Sequence, residues 1–429
     1  TGSFPVSKLR FLNLLPCSMA WSPSTLFELP EGCTRLSGPA SEFWSGATHR
    51  FWSDPEPAPS LLLLLSSTLT AEVEGISAAG ATSESRRYTA IADAELLLYG
   101  PSHRPRWPLP PLPAGVSPAL ISWVAAEAIQ IQPWVGSIGL SKLPPFPHLR
   151  FEDPLFGPAA CISTGHAMTP QRVQQLLSKG QRFGERLRQP LVLAECIPGG
   201  TTTALAVLCG LGLPANDLIS GSAIHPPMAL KQDLVQQGLK SAELSATPSS
   251  QELLAAVGDP FQAFATGLLV GSLSSSQPLL LAGGSQMAAV LALALNMVST
   301  RERRLLSNQV LIGTTAWLAG EILTPTGSKR PSLMELLALL EDHFDVCISA
   351  LASGLRFGDS RHRSLRDYEL GHVKEGVGAG GLALLAQLRG LSLERISQAC
   401  DNAMDQLLES KLNPPESPTN PEGIQPRKV

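Results

Sequence analysis

Charge is scarce in this 429-residue chain. Lys, Arg, Asp and Glu make up 16% of it, against roughly a quarter of an ordinary soluble protein. Its 36 acidic and 32 basic residues leave a net charge of −4, so no basic field exists to draw in a nucleic-acid backbone. Aromatic residues are 5%, with three tyrosines, which argues against platforms for stacked bases. The seven cysteines include no C-x-x-C pair, and several lie in apolar runs, as Cys209 does. They read as small buried fillers in a reducing, cytoplasmic compartment, not as a disulfide framework or zinc site. His166, His225, His343 and His362 each stand without a neighbour at ligand spacing, so no metal or other cofactor is expected. A membrane-length apolar run is also lacking. Residues 279–298 approach the ~20 positions a crossing needs, but Gly283-Gly284-Ser285-Gln286 interrupts them. A buried strand, a tight turn and a buried helix fit better. The apolar stretch after Lys8-Leu9-Arg10 is too short and broken for a signal-peptide core.

Apolar material and proline are what the chain has in quantity. Hydrophobic residues are 44%, enough for a large core and too many for wholesale disorder. Of the 37 prolines, 22 fall in residues 1–170, five in 414–429 and ten between. This predicts an irregular Pro/Ser-rich extension over 1–55, a body over 56–412 and a disordered tail over 413–429. Within the body, residues 61–65 read as a first buried strand and 118–130 as a helix. From residue 171 helices and strands alternate: helix 171–188, strand 191–197, helix 203–212, the strand–turn–helix at 279–298, a strand from 310, helix 333–340 and strand 346–350. Such alternation predicts an α/β fold, a parallel sheet with helices on both faces in a Rossmann-like three-layer arrangement. Ligands in these sheets bind beyond the carboxyl ends of the strands, so the turns after strands are where function belongs.

Three turns qualify. In the first, Glu195-Cys196-Ile197-Pro198 leads into Gly199-Gly200-Thr201-Thr202-Thr203 and an apolar helix. Backbone amides at a helix start carry partial positive charge, glycines let an anion approach, and hydroxyls add donors. No Walker lysine is present, so a nucleoside triphosphate is not implied. A Gly turn with a Thr N-cap would look the same. The second, around Glu375-Gly376-Val377-Gly378, formally contains G-x-G-x-x-G but lacks a buried strand before it. What survives is a carboxylate beside an anion-friendly backbone. Glu375 could act as a general base when partly desolvated, or simply sit at a helix start where the dipole favours it. The third is Gly283-Gly284-Ser285-Gln286, which close helix-on-strand packing would also explain. Together the three outline a pocket for a phosphorylated ligand. Lys231 opens a helix and could reach an anion. Arg356, Arg361, Arg363 and Arg366 precede the Glu375 loop, as a solvated loop or as phosphate-steering cations.

These motifs resemble the archaeal and cyanobacterial branch of the nicotinate-nucleotide–dimethylbenzimidazole phosphoribosyltransferases. The resemblance is carried by Glu195-Cys-Ile-Pro-Gly-Gly-Thr-Thr-Thr, Lys374-Glu-Gly-Val-Gly-Ala-Gly-Gly, Gly75-Ile-Ser-Ala-Ala-Gly-Ala, Tyr88-Thr-Ala with Asp93-Ala-Glu95, Gly258-Asp-Pro-Phe and Gly283-Gly-Ser-Gln-Met. It runs in order from about residue 56 to 405. It implies a parallel-sheet body plus a smaller region built from chain ends, usually in a homodimer. It also implies transfer of phosphoribose from nicotinate mononucleotide to an aromatic N-heterocyclic base, for the lower ligand of a cobalamin-type cofactor. By motif match Glu375 resembles the catalytic base and Glu195 a second acidic residue, with Lys231 a weaker match. Gly200-Thr201 and Gln286 depart from the better-known bacterial branch, so ribose contacts do not carry across, and the base could be a benzimidazole or adenine. A non-catalytic nucleotide-binding module of the same fold is the alternative.

Overall fold

The computed structural model describes residues 29–37, 52–54, 56–219, 221, 223–320 and 332–412. Its strands are β1 (Thr34–Ser37), β2 (Ser60–Ser66), β3 (Pro133–Ile138), β4 (Leu149–Arg150), β5 (Leu191–Cys196), β6 (Leu279–Ala282), β7 (Val310–Thr314) and β8 (Ser349–Ala352). They form one sheet in the order β1-β8-β7-β6-β5-β2-β3-β4.

The five leucines of β2 show why the sheet is covered on both sides. Successive side chains on a strand point to opposite faces, so an unbroken apolar run needs cover on both. Leu62 and Leu64 join Leu191 and Leu193 against the helices Gly200–Gly210, Pro260–Ser275 and Ser285–Met297. Leu61, Leu63 and Leu65 join Val192 and Ala194 against Ser83–Tyr99, Ala119–Ala128, Ala379–Leu388 and Leu393–Leu412. The α/β class and the three layers are as expected.

The sheet is parallel except at one edge. β2 through β8 pair in parallel, but β1 runs antiparallel along β8. Thr34–Ser37 precedes the region where regular structure was expected, yet it caps the sheet edge that β8 would otherwise leave open. The region expected from chain ends therefore includes a strand of the sheet itself, and Leu393–Leu412 packs on the same layer as Ala119–Ala128. Residues 1–28 and 413–429 lie outside the described residues.

The chain leaves β2 toward β3 and β4, and leaves β5 in the opposite direction toward β6. The loops after this adjacent pair therefore diverge, opening a crevice at the carboxyl edge. Residues 279–298 form β6 and the helix Ser285–Met297, and no described helix is long and apolar enough to cross a membrane. The six described cysteines are all free.

Candidate active site

A cavity of about 410 Å³ opens at this edge. Its first wall is the turn after β5. Gly199 takes φ +83°, and a Cβ there would come within 3.0 Å of the Ala71 amide nitrogen. Glycine thus allows the chain to turn directly into the helix Gly200–Gly210, three residues earlier than periodicity predicts. Gly199, Gly200 and Thr201 line the cavity, and Lys231 Nζ donates to Thr201 Oγ1 at 2.9 Å. Lys231 is buried, so an ammonium, a hydroxyl and a helix N-terminus converge on one end of the cavity. Thr202 and Thr203 do not line it. Both are fully buried, and the Thr203 hydroxyl donates to Asp259 Oδ2 at 2.5 Å. Only the first of the three threonines faces the space they were expected to share.

The turn after β6 supplies Gly284, Ser285 and Gln286 to the lining. Gly283 stays outside it, its α-carbon facing Met287. Gln286 Nε2 donates to Glu195 Oε1 at 3.0 Å, which orients that carboxyl from the neighbouring strand.

Glu375 enters from the last Gly-rich loop. Oε2 accepts from the Thr314 hydroxyl at 2.7 Å and the Thr315 amide at 2.9 Å. Oε1 accepts from the Gly376 and Gly380 amides, each at 3.1 Å. Gly380 is obligatory because a Cβ would lie 2.1 Å from Thr315 N and 2.5 Å from Glu375 Oε2. The Val377 amide donates to the Glu195 carbonyl at 3.0 Å, tying the two acidic positions together through the backbone. Gly376 lines the cavity, whereas Gly378 packs its α-carbon against Ala194 of β5.

Burial governs the titration of these groups. It pushes Glu195 up to about 8, helped by the nearby Glu375 and Asp259 charges and restrained by bonds from Ile197 and Gln286. Glu375 is also raised by burial, against the pull of its four donors. Beyond them, Asp93 is pushed up to about 6 by burial, and it accepts from Ser117 Oγ at 2.6 Å and Cys196 Sγ at 3.4 Å. Among the described residues no group of three His, Cys, Asp or Glu could hold a metal ion.

The arginines do not steer toward this cavity. Arg356 pairs with Glu369 at 3.4 Å, Arg361 with Asp401 and Asp405, and Arg366 donates to the Ser360 carbonyl. Arg363 lies 4.0 Å from Asp367. Each is taken up by its own loop or the following helix.

Residues 124–309 match the DBI_PRT family model, described as phosphoribosyltransferase. A UPF0284 protein of Parasynechococcus marenigrum is 56% identical over 389 residues, covering 91% of this chain and 98% of the relative. A UPF0284 protein of Prochlorococcus marinus strain MIT 9313 is 58% identical over 358 residues, covering 83% and 88%. The chain belongs to the same family as these UPF0284 proteins, and its central part matches the phosphoribosyltransferase model. Among solved structures, CobT from Thermus thermophilus shares the fold, with a TM-score of 0.51, 18% identity and coverage of 79% of this chain and 83% of that one. A second structure from the same organism, titled a nicotinate-nucleotide–dimethylbenzimidazole phosphoribosyltransferase, gives 0.50 at the same identity, over 81% and 82%.

This phosphoribosyltransferase is a pentosyltransferase whose cavity draws on residues that sequence reasoning passed over. The Pro-rich segment 109–118 forms a wall and is held by Tyr368, whose hydroxyl donates to the Val116 carbonyl at 2.9 Å. Thr314 ends the buried strand β7 and Thr315 follows it, the position where the same reasoning sought function after β5 and β6. That signal was available.

Proposed function

We propose that this enzyme transfers phosphoribose from nicotinate mononucleotide to a benzimidazole-like base or adenine. The products are an α-riboside 5′-phosphate, destined for the lower ligand of a cobalamin-type cofactor, and free nicotinate. The observation that carries this reading is the placement of two carboxyls, the buried Glu195 and the half-buried Glu375, on one cavity with the Thr201–Lys231 anion end.

In this reading the 5′-phosphate occupies the end formed by Thr201, Lys231 and the helix N-terminus, fixing the ribose so that C1′ faces the carboxyls. A ring nitrogen of the incoming base attacks C1′ from the face opposite the pyridinium. The C1′–N bond breaks and its electron pair returns to the pyridine ring, which leaves without needing a proton. The incoming base loses its N–H proton to Glu375. Burial raises the Glu195 carboxyl and so favours its protonated form. Entry of the cationic pyridinium favours its ionised form, which then stabilises positive charge on the ribose. The apolar stretch with Leu109, Leu112 and Val116 suits a flat heterocycle. A homodimer and a cytoplasmic location belong to the same reading.

The test is release of nicotinate from nicotinate mononucleotide, followed with a panel of benzimidazoles and adenine. Release that depends on an added base, with the matching α-riboside phosphate formed, is the expected result. No release with any base, despite measurable nucleotide binding, would overturn the reading.

A further inference from the structure

Lys374 stands immediately before Glu375. It lines the same cavity and is 4% exposed. Its Nζ donates across the cavity lining to the Ala223 carbonyl at 3.3 Å. The backbone that delivers it is strained: Val373 has φ +65° and Lys374 φ +57°, a region costly for any residue with a Cβ and more so for a β-branched one. Thr315 Oγ1 fixes the peptide by donating to the Lys374 carbonyl at 2.5 Å. Strain held in place by surrounding bonds at a pocket marks a segment shaped by its function.

Two buried ammonium groups therefore line one cavity. Lys231 is committed to the anion end by Thr201, and its Nζ lies beside Gly221. Lys374 reaches Ala223, two residues along the same segment. Alternate α-carbons lie at most about 7 Å apart, so the two cationic positions are neighbours on the cavity lining. The other charged groups on the cavity are Asp93, Glu195 and Glu375, with Lys411 exposed. A ligand with a single anion uses one such position. A pyridine mononucleotide bearing a ring carboxylate uses two.

Resting on the function proposed above, we infer that Lys374 binds the carboxylate of the nicotinate ring and selects the acid over the amide. A charge-assisted bond from an ammonium to a carboxylate is roughly twice as strong as a neutral one. A carboxamide offers the lysine a neutral oxygen in place of a charge.

The experiment is equilibrium binding of three probes to wild type and Lys374→Met: nicotinate mononucleotide, nicotinamide mononucleotide and nicotinate riboside. Wild type is expected to prefer the acid nucleotide to the amide roughly 10- to 100-fold, the span of one charged hydrogen bond. Lys374→Met removes that preference by weakening both acid probes and leaving the amide nucleotide within about twofold. Lys374→Arg, which keeps the charge, retains the preference, and circular dichroism verifies that each variant is folded. A wild type without preference, or a Lys374→Met variant that keeps it, overturns the inference. So does equal weakening of both nucleotides with the riboside unaffected, which would place Lys374 on the phosphate. These readouts do not require turnover, so an enzyme that releases no nicotinate yet shows the lysine-dependent preference would refute the proposed reaction and leave this recognition standing.

Discussion

The Thr314 hydroxyl donates to Glu375 Oε2 at 2.7 Å, and of the four donors on that carboxylate it alone can turn away while the backbone stays still. A carboxylate has about four lone-pair positions, so four donors leave no position for an incoming proton. Rotation of one hydroxyl frees one. A donor to the ionised form also lowers the pKa. Thr314→Val is therefore expected to raise Glu375 and move the acidic limb of the pH profile of kcat/KM to higher pH. An unmoved limb would show that Thr314 does not control the proton acceptor.

Glu375→Gln is expected to lower kcat about 10²- to 10⁴-fold, the usual contribution of a positioned base, while nucleotide binding persists. The amide can accept through one oxygen only, so Thr315, Gly376 and Gly380 lose part of their anchoring. Melting temperature is measured beside activity for this reason, with Glu375→Asp as a second variant. Thr201→Ala acts the other way, raising KM with little change in kcat, because it touches the anion end alone. A Glu375→Gln enzyme with full activity would remove the base from the mechanism.

Glu195 makes stability depend on pH. Its folded pKa, pushed up to about 8 by burial, lies above the unfolded value near 4.5. The folded state therefore binds more protons between these limits, and stability falls as pH rises through them. Glu195→Gln is expected to melt near the wild-type temperature at pH 5 and several degrees above it at pH 9. Melting curves across this range check the sign, and parallel pH dependence in both proteins would refute it.

Gly200→Ala tests the support for Glu195. A Cβ at residue 200 would fall 2.0 Å from Gln286 Oε1, forcing the glutamine off the carboxyl it orients. Activity is expected to drop at least about tenfold with the fold intact. The double variant Gly200→Ala/Gln286→Ala should lose little beyond Gln286→Ala, since both act through one contact. Additive losses would show that Gly200 matters for another reason.

How much of this was legible in the sequence varies by kind of signal. Strands β2, β5 and β6 were readable because buried parallel strands are unbroken apolar runs bounded by glycine or proline. The antiparallel β1, Thr-Arg-Leu-Ser, carries no such run, since an edge strand buries little and its place is set by tertiary pairing. The Gly199 turn was legible because glycine announces an unusual backbone. The strained Val373 and Lys374 were not, because nothing in a β-branched residue or a lysine advertises a positive φ. Of Thr201, Thr202 and Thr203, composition alone could not tell which faces the cavity; helix phase decides that, and it depends on where the turn ends. The arginines before Glu375 looked like a cationic cluster until Glu369 of the same segment and Asp401 and Asp405 of a later helix came beside them. The close pairing of Pro170–Glu185 with Pro260–Ser275 was written in Gly180, Gly184, Gly267 and Gly271, each of which meets the other helix's backbone, a pattern visible only when two distant segments are compared.

The edge strand matters for anyone who trims this protein. Gln387, on the helix whose first turn gives Gly380 to Glu375, donates to the Glu31 carbonyl at 2.9 Å and accepts from the Gly354 amide at 2.8 Å. One side chain thus fastens the strand's lead-in, the end of β8 and the far end of the helix that supports the carboxylate. A version begun at residue 56, where the proline pattern invites a cut, would strip β1 from the sheet and leave β8 as a bare hydrogen-bonding edge. Such a fragment is expected to self-associate, and its loss of activity would have nothing to do with chemistry. Cutting past Glu31 removes the anchor of the helix that supports the Glu375 carboxylate.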